Sequence, residues 1–204
     1  MAAMFWSAPR RHFHADQTVY IVGGGPSLVH ADLSRILPAS TIAINNAAID
    51  LVPYAEVMFW ADSIWATWNR DRIHRHRGRF KVSSKRHPDV ASNVMRYRTD
   101  YMPLSTSQDA LTGVDGGSRA INLAFLMGAR DIVLVGFDMH DGGAQNYHSD
   151  HQKDDAMLNR RSAEFIPSHN AMSAALAGRG VRVRNATPAS ALMCYPFVRL
   201  EDTL

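Results

Sequence analysis

The five residues Gly23-Gly24-Gly25-Pro26-Ser27 follow directly on the apolar run Thr18-Val19-Tyr20-Ile21-Val22. Glycines let backbone amides approach an anion closely. A helix starting just after them offers free N–H groups and the positive end of its dipole, and Ser27 adds a hydroxyl. That chemistry suits a phosphate; the alternative is a tight strand-to-helix turn with no ligand. Two familiar phosphate motifs are excluded. Counted from Gly23, the third position of a dinucleotide fingerprint holds Leu28, and the acidic residue expected ~20 positions on is replaced by Asn45-Asn46. No Gly-Lys-Ser/Thr follows, so a P-loop is excluded too. A nucleotide fits, but NAD or a P-loop ATP mode does not.

Other polar residues fall at similar places. Asn45 and Asn46 can bind a ribose, a base or an anionic sugar without repelling phosphate, or can satisfy loop backbone groups. Asp62 can hold a metal, orient a hydroxyl or cap the helix after it. Asp115-Gly116-Gly117-Ser118 opens an apolar helix, and Asp138 ends the most apolar run of the chain. His140, His148, His151 and His169 are four of ten histidines, three of them in one loop. A histidine titrates near neutral pH and can take a proton from an acceptor hydroxyl. His148 and His151, with Asp150 between them, also have the chemistry of metal ligands, or are plain loop residues. General acid/base or substrate-binding work is the leading reading, with no resident metal.

The elements that must position these residues alternate. Strands are expected at 18–22, 41–44, 57–60, 80–82, within 131–138 and at 181–185. Helices are expected at 28–37 (ended by Pro38), 64–75, 118–127 (ended by Gly128) and 154–177 (with a break at Pro167). Residues 85–111 show no period and read as a loop, a lid or a small subdomain. The pattern indicates an α/β fold: a Rossmann-like, mostly parallel sheet flanked by helices, in a single domain. Ligands of such sheets sit at the carboxyl ends of the strands, where nearly all the residues above fall.

The chain has 204 residues, 46% hydrophobic and 20% charged, which is globular and not disordered. Cys194 is the only cysteine, which excludes an intramolecular disulfide. A net charge of +3 is too mild to mark a nucleic-acid binder. The cations are 19 arginines against three lysines, and arginine suits bidentate binding of phosphate and carboxylate. The basic run from Arg70 to Lys81 is either a solvated face or a surface for nucleic acid or another anion. Trp60, Trp65 and Trp68 flank it as core or subunit interface, which leaves a homo-oligomer open. The apolar start is short, and Arg10-Arg11 follow it rather than precede it, unlike a secretory signal. No stretch approaches the ~18 apolar residues of a membrane span. The expected location is the cytoplasm, with residues 1–16 a loose arm and 17–204 the nucleotide-binding transferase domain.

The order Val22 to Leu28, Ile44-Asn45-Asn46, Gly116-Gly117 opening an apolar helix that ends at Gly128, and Leu134-Val135-Gly136-Phe137-Asp138 resembles one superfamily. It includes bacterial lipooligosaccharide sialyltransferases, flagellar motility accessory factors and archaeal 6-hydroxymethylpterin diphosphokinases. Phage- and prophage-encoded proteins of that group are similar over about residues 18–204, including Tyr147-His148-Ser149-Asp150-His151 and the tail from Asn185. The resemblance implies a transferase using a nucleotide-activated donor, such as a cytidine nucleotide, to move a glycosyl group without a required cofactor. It implies that Gly23, Gly24, Gly25, Pro26 and Ser27 face phosphate and ribose. Asn45 would contact the donor, with Asn46 and Asp62 beside it. Asp115, Gly116, Gly117 and Ser118 would stand where the sialyltransferases carry Thr-Ser-Gly. From the chemistry of the late loop, and not from the resemblance, His148 is the expected base, with His151 and Asp138 in support. The alternatives are a Mg²⁺-dependent diphosphokinase with Asp62 and Asp138 as ligands, and a non-catalytic phage accessory protein that binds nucleotide or nucleic acid.

Overall fold

The computed structural model describes residues 5–100, 102–140, 146–149 and 164–204. Short β-branched runs form β1 (Thr18–Val22), β2 (Thr41–Ile44), β3 (Val57–Trp60), β4 (Phe80–Ser83) and β5 (Asn93–Val94). The pair β6 (Arg96–Tyr97) and β7 (Ala110–Leu111) stands apart, and β8 (Asp131–Val135) and β9 (Arg182–Asn185) complete the main sheet. That sheet has seven strands in the order β5-β4-β3-β2-β1-β8-β9, and every pairing is parallel. The chain builds outward from β1 to β5, then returns to lay β8 on the other side of β1. The order therefore reverses at β1 and β8.

Strand alternation divides the core. Val19 and Ile21 join a cluster that includes Leu123, Met127, Met172 and Leu176 from the helices α3 (Gly116–Leu126) and α4 (Ile166–Ala177). Tyr20 and Val22 join the cluster with Ala47, Ile49 and Trp65 from α1 (Ala47–Asp50) and α2 (Ser63–Asn69). All five residues of β8 are buried, as a central strand covered on both faces requires. None of the described helices is long and apolar enough to cross a membrane.

Several expectations are corrected. The helix expected at 28–37 is only a five-residue 3-10 turn, Pro26–His30. Asp32 accepts from the amide and hydroxyl of Ser34 at 3.0 and 2.6 Å, a local bond that competes with helix. Val29 and Leu37 are left exposed. The helix expected at 64–75 stops at Asn69, whose side-chain amide turns back to the Trp65 carbonyl at 3.1 Å, and a 3-10 turn follows at Ile73–Arg75. The featureless stretch 85–111 contains β5, β6 and β7. Pro167 opens α4 in its first turn, where a missing N–H costs nothing. Residues 154–163 of that expected helix lie outside the described residues.

Residues 5–16 are tied down rather than loose. Phe13 is 2% exposed and Ala8 3%. The amides of Trp6, Ala8 and Phe13 donate to the carbonyls of Val94, Gln108 and Met127 at 2.8, 2.7 and 2.9 Å. His12 meets Glu56 at 2.9 Å. At the far end, the tail pairs with the last residue of β9: Asn185 donates to Pro196 O at 2.9 Å, and Val198 donates back to Asn185 O at 3.1 Å.

Candidate nucleotide site at the strand-order reversal

The glycine turn sits where the strand order reverses and is seated on the end of β8. Gly23 N donates to Val135 O at 2.8 Å and Gly25 N to Gly136 O at 2.9 Å. A Cβ on Gly25 would lie 1.8 Å from Asp138 Oδ2 and 2.7 Å from Gly136 O, so only glycine fits there. Gly24 is different: its Cβ would meet only the Asn146 side chain, at 3.2 Å. Gly24 thus forms the outward part of the turn, while Gly23 and Gly25 serve strand packing.

Asp138 is 8% exposed and holds the turn shut. Its Oδ1 accepts from Ser27 N at 3.1 Å and its Oδ2 from Ser27 Oγ at 2.8 Å. Pro26 opens the 3-10 turn and is half-buried. Both Ser27 groups that the sequence offers to phosphate are therefore committed to a carboxylate of the chain itself.

The start of α3 repeats this arrangement. Asp115 is its N-cap, accepting from Gly117 N at 3.2 Å and Ser118 N at 3.0 Å, while the Ser118 hydroxyl closes a capping box with it. Asp115 also faces His169 Nε2 at 3.4 Å. Burial is the largest single influence on the Asp115 carboxyl and pushes it up. His169 and Ser118 together outweigh burial and hold it well below the usual carboxylate range. Gly116 lies against β2, its absent Cβ 3.6 Å from Ile44. Gly117 lies against Phe137, where a Cβ would come within 2.6 Å of the ring.

Asn45 and Asn46 part company. Asn46 is buried and its Oδ1 accepts from Trp65 Nε1 at 2.7 Å, a structural role. Asn45 adopts φ +53°, a left-handed conformation that non-glycine residues seldom take. Its Oδ1 is sealed from solvent and has no hydrogen-bond partner among the described residues. Such a group costs stability unless something satisfies it. Asp62 is exposed at the N-cap of α2 and makes no capping bond with its side chain.

Of the late histidines, His148 is half-buried and stacks edge-on with Tyr147 at 4.8 Å. Tyr147 N donates to Gly24 O at 3.0 Å, so His148 is carried to the glycine turn. His151 and Asp150 lie outside the described residues. His140 is exposed and bonds the Ala189 carbonyl. His169 is fully buried between Asp115 and Tyr195, whose hydroxyl lies 3.1 Å from its Nδ1. Burial pushes the Tyr195 phenol well above its ordinary value, with Cys194 and Asp115 adding to the effect. The sequence reading missed this cluster. A signal was present: His169 shares the spacing of Met172 and Leu176, the buried face of α4.

Among the described residues, no three His, Cys, Asp or Glu side chains come together to hold a metal. Asp138 fits a Mg²⁺ poorly because both its oxygens serve Ser27. The run Arg70 to Lys81 is partly absorbed by the fold. Ile73 and His76 are buried, and Arg72 pairs with Asp50 at 2.8 Å. Trp60 and Trp65 are core, while Trp68 is 45% exposed.

No protein-family model matches the chain, and no curated protein matches its sequence. Solved structures do share its fold. The MAf glycosyltransferase from Magnetospirillum magneticum AMB-1 aligns over 98% of this chain with a TM-score of 0.60 at 14% identity. This chain spans only 36% of that protein. The sialyltransferase CstII from Campylobacter jejuni, in complex with the substrate analogue CMP-3FNeuAc, covers 89% of this chain and 86% of its own length, with a TM-score of 0.51 at 15% identity. CST-II with a trisaccharide acceptor and CMP covers 90% of this chain and 86% of its own, with a TM-score of 0.52 at 15% identity. The fold of this chain is that of these glycosyltransferases.

Proposed function

We propose that the chain is a glycosyltransferase-like transferase whose donor is a sugar activated by a nucleotide monophosphate, a cytidine nucleotide in the first instance. The observation that carries this is Asn45. It takes a left-handed backbone, its amide oxygen has no partner among the described residues, and it stands at the end of β2, the strand next to the reversal, on the side where open parallel sheets take their ligands. On ligand entry that oxygen, sealed in the free chain, becomes the acceptor for a ribose hydroxyl or a base amino group.

Charge narrows the donor class. Asp115 and Asp138 occupy the amides expected for phosphate, and the candidate residues include no lysine or arginine. Each added negative charge on a ligand is disfavoured beside two carboxylates. A sugar joined through one phosphodiester carries a single charge, whereas ATP or a diphosphate sugar carries more. The likeness to CstII, whose structures hold CMP compounds, agrees with this reading. His148 takes the proton of the acceptor hydroxyl as the glycosidic bond forms and the nucleotide phosphate leaves. The rest of the rate comes from positioning.

A thermal-shift series tests the reading. CMP without metal raises the melting temperature, and Asn45→Gly, which relieves the backbone, abolishes that rise while keeping the fold. A response to ATP with Mg²⁺ in place of CMP would replace the proposal by diphosphate transfer. No response to any nucleotide would leave the accessory-protein alternative.

A further inference from the structure

The edge of the sheet opposite the candidate site holds a cavity of about 600 Å³, where the N-terminal strap crosses the end of α3. Its wall carries Arg10, Arg11, His14, Arg130, Gln108 and Phe125, and it includes no acidic residue. The strap is seated closely on α3. A Cβ on Gly128, at φ +109°, would lie 2.6 Å from Phe13 O and 2.9 Å from Arg10 O. That contact fixes where Arg10 and Arg11 stand. On the other wall, Arg130 donates to the carbonyls of Gly128 and Ala129 at 3.3 and 2.8 Å and lies 5.4 Å over the Phe125 ring, so its guanidinium is held in place.

The charges here are left uncompensated. At the same edge, Arg182 and Arg184 both pair with Asp131, at 2.9 and 2.7 Å. Among the described residues, Arg10, Arg11 and Arg130 have no such carboxylate. Three guanidinium groups around one cavity repel one another until an anion enters. Arginine's planar fork matches phosphate oxygens in pairs. We infer that this cavity binds a multiply charged phosphate compound, with Arg10 and Arg11 clasping a di- or triphosphate group and Arg130 facing it from the end of α3. The strand ends that take reacting ligands lie at the other edge, so this is a second, non-catalytic site. It stands independently of the proposed transferase activity.

Calorimetric titration of the full chain with inorganic tripolyphosphate, at low salt and without Mg²⁺, tests it. One equivalent binds the wild type. Arg10→Gln/Arg11→Gln weakens binding at least ~10-fold, while Asn45→Gly leaves it unchanged. Thr106→Glu, which places a carboxylate on the exposed rim, weakens it comparably and covers the case of a double variant that melts early. ATP without Mg²⁺ that binds at least as tightly as tripolyphosphate, with the same dependence on Arg10 and Arg11, supports the site and makes its ligand a nucleotide. Three results would overturn the inference. These are no binding at millimolar tripolyphosphate, equal affinity in the arginine and Thr106 variants, or loss of binding in Asn45→Gly.

Discussion

Ser27 and Asp138 lie 111 positions apart in sequence, yet the carboxylate of one takes both the amide and the hydroxyl of the other, at 3.1 and 2.8 Å. This pairing turns the glycine turn into part of the fold. It also separates the three glycines by role. Gly25→Ala drives a Cβ into Asp138 and the Gly136 carbonyl, and is expected to destabilise by ~2–4 kcal/mol in urea unfolding. Gly24→Ala meets only a side-chain amide and should stay within ~1 kcal/mol of wild type. A substitution at Gly25 therefore reports on packing, and Gly24 is where binding is read.

His148 follows Tyr147, whose amide is bonded to Gly24 O at 3.0 Å, so the chain carries it past the glycine turn. His148→Ala should lower turnover by ~10²–10⁴-fold, the usual worth of general base help, and leave CMP affinity within a factor of ~2 of wild type. Full turnover at saturating donor would pass the base role to another residue. His169 is a poor replacement because it is committed to Asp115 and Tyr195.

His76 is 2% exposed, and burial lowers its pKa; the bond to the Ala55 carbonyl works against that, and Lys81 adds to it. Its Nδ1 is buried without a partner among the described residues. Above the unfolded value of ~6.5 both states are neutral there. As pH falls below it, the unfolded chain takes up a proton that the folded chain refuses, so stability drops. Melting temperatures from pH 7.5 to 5 should show this loss, at most ~1.4 kcal/mol per pH unit from one group. His76→Gln keeps a donor for Ala55 and should flatten the curve by that share. An identical slope in both proteins would assign the effect elsewhere.

Cys194 is half-buried, and burial pushes its thiol up to about 11. Little thiolate exists at pH 8, so iodoacetamide should modify the folded protein ~10–100-fold more slowly than the urea-unfolded chain. Equal rates would show the thiol to be ordinary. With one cysteine in the chain, the reading is free of interference.

The strands β1 to β4, β8 and β9 were legible as short runs with alternating or continuous apolar residues, while the two-residue strands β5, β6 and β7 are too short to leave a period in the sequence. The helix after the glycine turn was not legible either. Leu28, Leu33, Ile36 and Leu37 carry a helical spacing, but Asp32 and Ser34 bond each other and stop it. The sequence also showed which polar residues stand just past the carboxyl ends of the strands, at 45, 62 and 138. What the sequence could not show is that Asp115 and Asp138 point inward and cap the donors expected for phosphate. Those bonds join residues that only the fold brings together, as do His169 with Asp115 and Phe13 with Met127.

The covering of β9 by the tail has a consequence for assembly. A row of open backbone donors and acceptors at a sheet edge invites another chain to pair with it. Here Pro196 and Val198 occupy both edge groups of Asn185, the last residue of β9, and the opposite border is β5, a strand of only two residues. The sheet is thus stoppered at one end and blunted at the other, which protects the molecule from edge-to-edge polymerisation. Removing residues 196–204 would uncork the Asn185 end of β9 and offer it as a template for a second chain, an association that light scattering should register before any loss of secondary structure.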